Sequence, residues 1–113
     1  MEVINSSRLV ELLNDGFDGE VMFSGEVSIF VNGTRILETR GEFSMSQYQG
    51  FTSLESKDKL SGERDNHSNF KIREGEQVRM GVEQQVEVPV DYDSLQEEHP
   101  GIYLTIKPKE IKY

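Results

Sequence analysis

Cysteine is absent from the 113 residues of this chain. The sequence therefore offers no disulfide framework, no thiol nucleophile and no cysteine zinc site. Met1 to Asn5 lacks the basic start and apolar run of a secretory signal peptide, and no stretch approaches the roughly 20 apolar residues of a membrane span. We expect a cytoplasmic protein with no membrane partner.

Basic residues are also few, with 12 Lys and Arg against 21 Asp and Glu and a formal net charge of −9. A negatively charged surface repels phosphate backbones and anionic lipid, so direct nucleic-acid binding is not expected. The same charge favours a protein partner with a basic surface.

Motifs for catalysis and cofactor binding are missing as well. The sequence contains no P-loop, no G-x-G-x-x-G and no G-x-S-x-G. The stretch from Asp15 to Glu20 lacks the oxygen spacing of an EF-hand and is typical of a helix-to-strand turn. His67 and His99 lie in polar stretches without metal-ligand spacing, so we interpret them as exposed loop residues. A catalytic or metal-binding use of these histidines is the alternative. We expect a protein that is not an enzyme and has no cofactor and no metal.

The clearest pattern in the sequence is an alternation of apolar and other residues from Glu20 to Ser46, which predicts a long β-hairpin. Odd positions of the two arms should face the core. They are Val21, Phe23, Val27, Ile29 and Val31 on the first arm and Leu37, Phe43 and Met45 on the second.

The turn of this hairpin lies at Asn32-Gly33. A two-residue type I′ loop would set odd positions opposite even ones and divide the core. We therefore favour a three-residue loop, Val31 to Gly33, with Gly33 as a G1 bulge and Val27 opposite Leu37. Arms of this length should bend, and Gly25 and Gly41 come close together in this register.

A helix is predicted from Asn5 to Asn14, capped by Ser6 or Ser7 and ended by Asp15-Gly16. Its stripe of Leu9, Val10, Leu12 and Leu13 should pack on the hairpin or on a partner. Residues 55–69 are rich in Ser, Gly and charge, and we interpret them as a mobile loop.

A second sheet unit is predicted from Phe70 to Val90, with Ile72 opposite Val78 and Phe70 opposite Met80. Even positions from Val78 to Val90 other than Gln84 should be buried, with a bend at Gly81 and Gln84-Gln85 and an unpaired or edge position at Pro89. The closing strand should place Ile102, Leu104 and Ile106 inward and end at Pro108, which leaves residues 109–113 as a tail that frays.

These elements predict a single domain over residues 1–113 of the mainly β (α+β) class. An N-terminal helix should precede about five antiparallel strands that form a curled sheet, a small barrel or a sandwich.

Acidic residues are concentrated between Met80 and Ile106, a segment without Lys or Arg. Odd parity places Glu83, Glu87 and Asp91 along the outward face of one strand. Such a row could enter a basic nucleic-acid-binding groove as a decoy for phosphates, or it could be a solvated face. The candidate partner-binding residues are Glu83, Glu87, Asp91, Asp93, Glu97 and Glu98.

The short, acidic, cysteine-free chain resembles, in composition only, accessory proteins of phages and mobile elements that block host enzymes. We therefore hypothesise a non-catalytic acidic binding domain that occludes or regulates a protein partner, in the manner of an inhibitor of a nucleic-acid-binding enzyme. The alternative is a structural or assembly subunit that self-associates through sheet edges or its helix.

Overall fold

A computed structural model describes residues 2–48, 51–56, 67–73, 75–92 and 101–113, and confirms a mainly β fold with an N-terminal helix. No helix in these ranges is long and apolar enough to cross a membrane. A 3₁₀ turn at Val82–Gln84 separates two of the strands. The elements are β1 (Val3–Ile4), α1 (Ser6–Asp15), β2 (Glu20–Val31), β3 (Thr34–Tyr48), β4 (Phe51–Ser56), β5 (His67–Ile72), β6 (Arg79–Met80), β7 (Val86–Tyr92) and β8 (Ile102–Lys112).

The antiparallel sheet closes into a barrel of six strands in the order β2-β3-β4-β5-β7-β8, because β8 pairs with both β7 and β2. The short strands β1 and β6 are added to β8 and β7. Of the predicted alternatives, the small barrel is therefore confirmed. Closure gives the strands hydrogen-bonded neighbours on both sides wherever they are paired, although between Thr34 and Gly41 β3 pairs with β2 and with no other described strand.

The barrel interior is filled by side chains from alternate positions of the strands, as the alternation in the sequence predicts. Odd positions of β2 and even positions of β7 and β8 point inward. Full burial of an aliphatic or aromatic side chain of this size contributes about 1.5–3 kcal/mol. The inward set includes Val21, Phe23, Val27 and Ile29 of β2, Phe43 and Met45 of β3, Phe70 of β5, Val86, Val88 and Val90 of β7, and Ile102, Leu104 and Ile106 of β8.

Helix α1 begins after Asn5, whose side-chain Oδ1 accepts a hydrogen bond of 2.9 Å from the backbone N–H of Arg8. The predicted caps Ser6 and Ser7 are therefore wrong, and Asn5 serves because its short side chain reaches the first free donors. Gly16, at φ +87°, ends the helix as predicted. Leu9, Leu12 and Leu13 of the apolar stripe are buried in the same core as the hairpin side chains, and the helix backbone lies close to β6, β7 and β8.

The end of α1 is joined to the segment before β6 by the amide of Asn14. Its Nδ2 donates to the carbonyl oxygen of Val78 at 3.0 Å, and the N–H of Val78 donates to its Oδ1 at 2.8 Å. A single side chain thus makes the two hydrogen bonds that a neighbouring strand would make. Val78 is buried as predicted.

We expect Asn14→Ala to lower the free energy of unfolding by about 1–3 kcal/mol, because it leaves a part-buried N–H and C=O unpaired. Urea unfolding followed by far-UV circular dichroism measures this change. Glu11→Ala on the exposed face of α1 is the control. Equal unfolding midpoints for Asn14→Ala and the native chain would contradict the role of this amide.

The β2–β3 turn differs from the prediction. Val31 pairs with Thr34, so the loop is Asn32-Gly33, with φ values of +50° and +81°. This is the type I′ turn that Asn-Gly favours, and the three-residue loop is wrong.

A β-bulge at Ile36 restores the predicted matching of odd with odd positions. The register shifts after Phe30, so that Ile29 faces Leu37 and Val27 faces Thr39, and the predicted pairing of Val27 with Leu37 is wrong. The extra residue adds local twist to the strand. Leu37 was predicted to face the core, but it is 49% exposed although its partner Ile29 is buried, so this prediction is wrong.

Gly25 and Gly41 face each other in the two long strands, with φ values of +148° and +137°. This confirms that the two glycines come close together, as predicted. Strand β8 bulges at the same level and continues past Pro108 to Lys112, so the predicted end at Pro108 is wrong. Proline is accommodated because a bulge needs no ladder donor there. Residues 109–112 belong to β8, and Tyr113 exchanges backbone hydrogen bonds of 2.6 and 2.7 Å with Glu2.

The predicted pairing of Phe70–Ile72 with Val78–Met80 is wrong. Strands β5 and β6 both pair with β7, at Val90–Tyr92 and at Val86–Glu87 respectively. The cause is the 3₁₀ turn at Val82–Gln84, where Glu83 and Gln84 have positive φ values. The chain reverses at this turn, so β6 pairs with β7 instead of with β5.

This reversal also exposes two even positions that were predicted to be buried, Met80 and Val82, at 41% and 84%. Of the predicted 55–69 loop, Glu55 and Ser56 end β4 and residues 67–69 begin β5. Residues 57–66 lie outside the described part of the chain.

Candidate functional site: a groove on the outer face of β7 and β8

A groove with a volume of about 490 Å³ lies on the outer face of the barrel, beside β7 and β8. Its position follows from parity, because Glu87, Pro89 and Tyr103 alternate with buried residues and therefore point outward. The β2–β3 turn bounds one side, and Arg73, Glu76, Gln77 and Arg79 bound the other. This volume lies within the range of known ligand sites. Its principal side chains are Arg73, Glu76, Arg79, Glu87, Pro89 and Tyr103.

The groove includes part of a row of outward side chains that crosses four strands. Arg35 of β3 pairs with Phe30 of β2, Phe30 pairs with Tyr103 of β8, and Tyr103 pairs with Pro89 of β7. We call these residues (Arg35, Phe30, Tyr103 and Pro89) the aromatic row. Adjacent members are separated by one strand spacing, about 4.8 Å.

The two rings of the aromatic row are stacked. The centroids of Phe30 and Tyr103 are 5.2 Å apart with an angle of 4° between the ring planes. Arg35 Cζ lies 5.7 Å from the Phe30 centroid, so Phe30 has a guanidinium on one side and a ring on the other. Ring stacking contributes about 0.5–1.5 kcal/mol and the cation–π contact about 0.5–1 kcal/mol. The row is therefore ordered in advance of any binding, and Tyr103 faces the groove on its other side.

The β2–β3 turn is held against the start of β8. The N–H of Asn32 donates to the carbonyl oxygen of Gly101 at 2.9 Å. A Cβ at Gly101 would clash with the Asn32 side chain and lie 3.0 Å from the Asn32 nitrogen. Glycine at this position therefore allows the close approach that fixes one end of the groove.

The rim of the groove carries both signs of charge in ion pairs. Arg79 Nε is 2.7 Å from Glu87 Oε2, and Arg73 Nε is 3.3 Å from Asp91 Oδ1. Arg73 Nη1 is also 3.7 Å from Glu76 Oε2. The Arg79 side chain is 79% exposed, so its pair with Glu87 contributes about 0–1 kcal/mol.

Arg73 additionally ties the wall of the groove together. Its Nη2 donates to the carbonyl oxygens of Val90 at 3.0 Å and Ile102 at 3.3 Å, and its side chain is only 17% exposed. The guanidinium thus joins the link after β5 to β7 and β8. Its role in the groove is to fix the wall.

The predicted acidic row is only partly formed. Glu87 and Asp91 lie on β7, but Glu83 lies in the 3₁₀ turn before that strand, because its φ of +59° takes the chain out of β geometry. Glu83 Oε2 is 3.4 Å from Lys107 Nζ. All three carboxylates therefore have a basic partner from outside the segment between Met80 and Ile106.

The other predicted partner-binding residues, Asp93, Glu97 and Glu98, lie outside the described residues, as does His99. His67 begins β5, and its side chain is outside the described part. Contact of a partner with any of the six carboxylates stays a prediction. Among the described residues, no group of three His, Asp or Glu side chains could hold a metal ion.

The sequence interpretation did not single out the aromatic row. One signal was present, since Phe30 and Tyr103 are large side chains at outward positions of their strands. Their contact could not be found without the register between β2 and β8, two strands that are distant along the chain.

The protein is a small antiparallel barrel with one face of a helix packed against it. A groove with aromatic and charged side chains lies on its outer wall. Comparison with protein-family models, curated proteins and solved structures finds no match for this chain. Its function is therefore argued from the groove itself.

Proposed function

We propose that this chain is a non-catalytic binding domain that holds a segment of a partner protein in the groove, and thereby occludes or regulates that partner. The observation that carries the proposal is the aromatic row beside a rim of paired charges. Aromatic residues and arginine are enriched at protein interfaces, where a few rigid rings contribute much of the binding energy. The stacked pair of Phe30 and Tyr103 is a rigid element of this type.

Electrostatics favour a partner with a basic surface, since the chain carries a net charge of −9. The ion pairs of Glu87 and Asp91 argue against a bare row of carboxylates that imitates phosphates. We therefore propose recognition through the groove, with Glu87 at its rim, in place of the acidic row alone.

Affinity capture from lysate, followed by mass spectrometry, tests this function with matched variants. We expect Tyr103→Ser and Glu87→Lys to lose proteins that the native chain retains. Glu11→Lys makes the same change of charge on the exposed face of α1, outside the residues that line the groove, and should retain them. Circular dichroism confirms that each variant is folded.

Two results would contradict the proposal. One is capture by Tyr103→Ser and Glu87→Lys equal to that of the native chain. The other is an equal loss with Glu11→Lys, because it would indicate a response to overall charge rather than to the groove.

Self-association through a sheet edge is the second candidate function. Between Thr34 and Gly41, β3 pairs with β2 and with no other described strand. Ile36 and Leu37 in this stretch are 57% and 49% exposed. Exposed apolar strand edges are surfaces on which chains associate. The stripe of α1 is buried and does not support association through the helix.

Sedimentation velocity over a wide range of protein concentration tests this second candidate. Self-association should appear as a concentration-dependent dimer that Leu37→Lys converts to monomer. A native chain that stays monomeric at every concentration would exclude it.

A further inference from the structure

The free edge of β3 is a short stretch between two structural limits. The bulge at Ile36 interrupts the ladder on one side, and β4 begins to pair with β3 at Phe43 on the other. Between these limits, the stretch from Leu37 to Gly41 is regular strand that β2 borders and no other described strand does. A further strand can add to the sheet only along this stretch.

The backbone groups that this edge presents belong to Glu38 and Arg40. The N–H of Asn32 donates to the carbonyl oxygen of Gly101, just before β8. Even positions on this side of the hairpin therefore direct their backbone groups toward β8, and odd positions of β2 direct theirs toward β3. Thr39 pairs with an odd position of β2 and is bonded to it. Its neighbours Glu38 and Arg40 consequently direct their N–H and C=O groups away from β2, to the free edge.

We propose that a second copy of this chain pairs with this edge as an antiparallel strand, about a two-fold axis at Thr39. This inference rests on the second candidate function, because it names the register of self-association through the same edge. A two-fold axis perpendicular to the sheet keeps each side chain on its own face, so opposite residues must have the same parity. The stretch Leu37–Gly41 is centred on Thr39, which places Glu38 of each copy opposite Arg40 of the other. Both residues have the outward backbone groups that such a pair exchanges.

Charge selects this register over the adjacent ones. With Thr39 on the axis, two pairs of opposite charge face each other across the strands, which is stabilising. An axis at Glu38 would set two glutamates directly opposite, and an axis at Arg40 would set two arginines opposite. Within one chain, Arg40 contacts Glu38 and Glu26 at 3.3 and 3.0 Å, and Glu38 contacts Arg35 at 2.8 Å. Arg40 is 73% exposed, so its own pairs contribute little and exchange across the axis costs little.

Leu37 supplies the apolar contact of the pairing. It shares a face with Thr39 and Gly41, because alternate positions of a strand point the same way. In the proposed register, Leu37 of each copy lies opposite Gly41 of the other, where no side chain occupies the space. Pairing therefore covers a leucine that is 49% exposed in the single chain. An interface of this extent belongs to the weak, transient class, so association should appear only at high protein concentration.

Sedimentation velocity of charge variants over a wide range of concentration tests the register. We expect Glu38→Arg and Arg40→Glu each to weaken the dimer about tenfold, because each sets two pairs of like charge directly opposite. The double variant E38R/R40E should restore it. An equimolar mixture of the two single variants should also associate, because every arginine of one chain then faces a glutamate of the other.

Glu11→Arg and Arg8→Glu are the matched controls, since they change the net charge by the same amounts on the exposed face of α1. Both should dimerise as the native chain does, and circular dichroism confirms that each variant is folded. Amide hydrogen exchange gives an independent readout. The N–H groups of Glu38 and Arg40 should exchange fast in dilute solution and more slowly as concentration rises. That of Thr39, bonded to β2, should be protected at every concentration.

The possible failures are distinguishable. A native chain that stays monomeric at every concentration would overturn both the inference and the second candidate function. Protection of the Glu38 and Arg40 amides in such a monomer would assign the edge to a segment of the same chain. A dimer that Leu37→Lys abolishes, but that keeps its strength in both single charge variants, would show that the edge is correct and the register wrong. Single variants that stay apart when mixed would overturn the register as well.

Discussion

Gly25→Ala is expected to lower the free energy of unfolding by about 3–5 kcal/mol. A Cβ at this position would collide with the backbone carbonyl oxygen of Lys107 and lie 3.0 Å from Pro108 Cα. The backbone φ of +148° is also unfavourable for any residue with a side chain. Conformational strain costs about 1–3 kcal/mol and overpacking a similar amount. Neither partner can move easily, because both belong to the backbone of β8.

Gly19→Ala is the matched control for Gly25→Ala. Its φ is +99°, but a Cβ there would have no atom within 4 Å, so only the conformational strain of about 1–3 kcal/mol applies. Urea unfolding of both variants isolates the steric part as the difference between them. Equal losses for the two variants would show that the close approach of β2 and β8 is not the cause.

Arg73→Met is expected to lower the free energy of unfolding by about 2–4 kcal/mol. The change removes the donor to the carbonyl oxygens of Val90 and Ile102 and the charge that faces Asp91. Leaving a buried acceptor unpaired costs about 1–3 kcal/mol, and methionine keeps most of the apolar stem. Arg73→Lys should recover only part of the loss, because an ammonium cannot reproduce the planar fork of a guanidinium.

Arg79→Met is the control for Arg73→Met. It removes the same group from a side chain that is 79% exposed, and surface changes of this kind stay within about 0.5 kcal/mol. Chemical unfolding of the four proteins gives the comparison. A loss for Arg79→Met as large as for Arg73→Met would mean that burial and the carbonyl contacts do not set the effect.

The inward faces of the strands could be predicted from the sequence because strand periodicity is a local property. Val21 and Val27 on β2 and Leu104 on β8 are buried at the positions that parity predicts. An unusual backbone conformation at Gly25, which has a φ of +148°, is also a local property, since glycine tolerates it far better than any residue with a side chain.

Register and pairing could not be predicted in the same way. Odd positions on the two arms can face each other only if the hairpin contains one extra residue. A three-residue loop and a bulge at Ile36 supply that residue equally well, and the sequence does not distinguish them. Likewise, whether β5 pairs with β6 or with β7 depends on positive φ values at Glu83 and Gln84. Neither residue type indicates this backbone conformation in the sequence.

The acidic character of the candidate site could be predicted from the sequence, but its basic partners and its stacked aromatic pair could not. Excess acid near Glu87 is visible in the sequence, but Arg79 and Lys107 neutralise part of it from outside the acidic segment. Phe30 and Tyr103 are far apart along the chain, and their stacking is a property of the closed barrel.

The position of β8 has a consequence for how this chain folds. It pairs at once with β1, β2 and β7, and it joins residues as distant in sequence as Met22 and Lys112. Contacts of such high contact order form late, because a large loop entropy must be overcome first. Until β8 docks, the apolar strands β2 and β7 each lack a neighbour, so the half-assembled chain is the species most prone to aggregate.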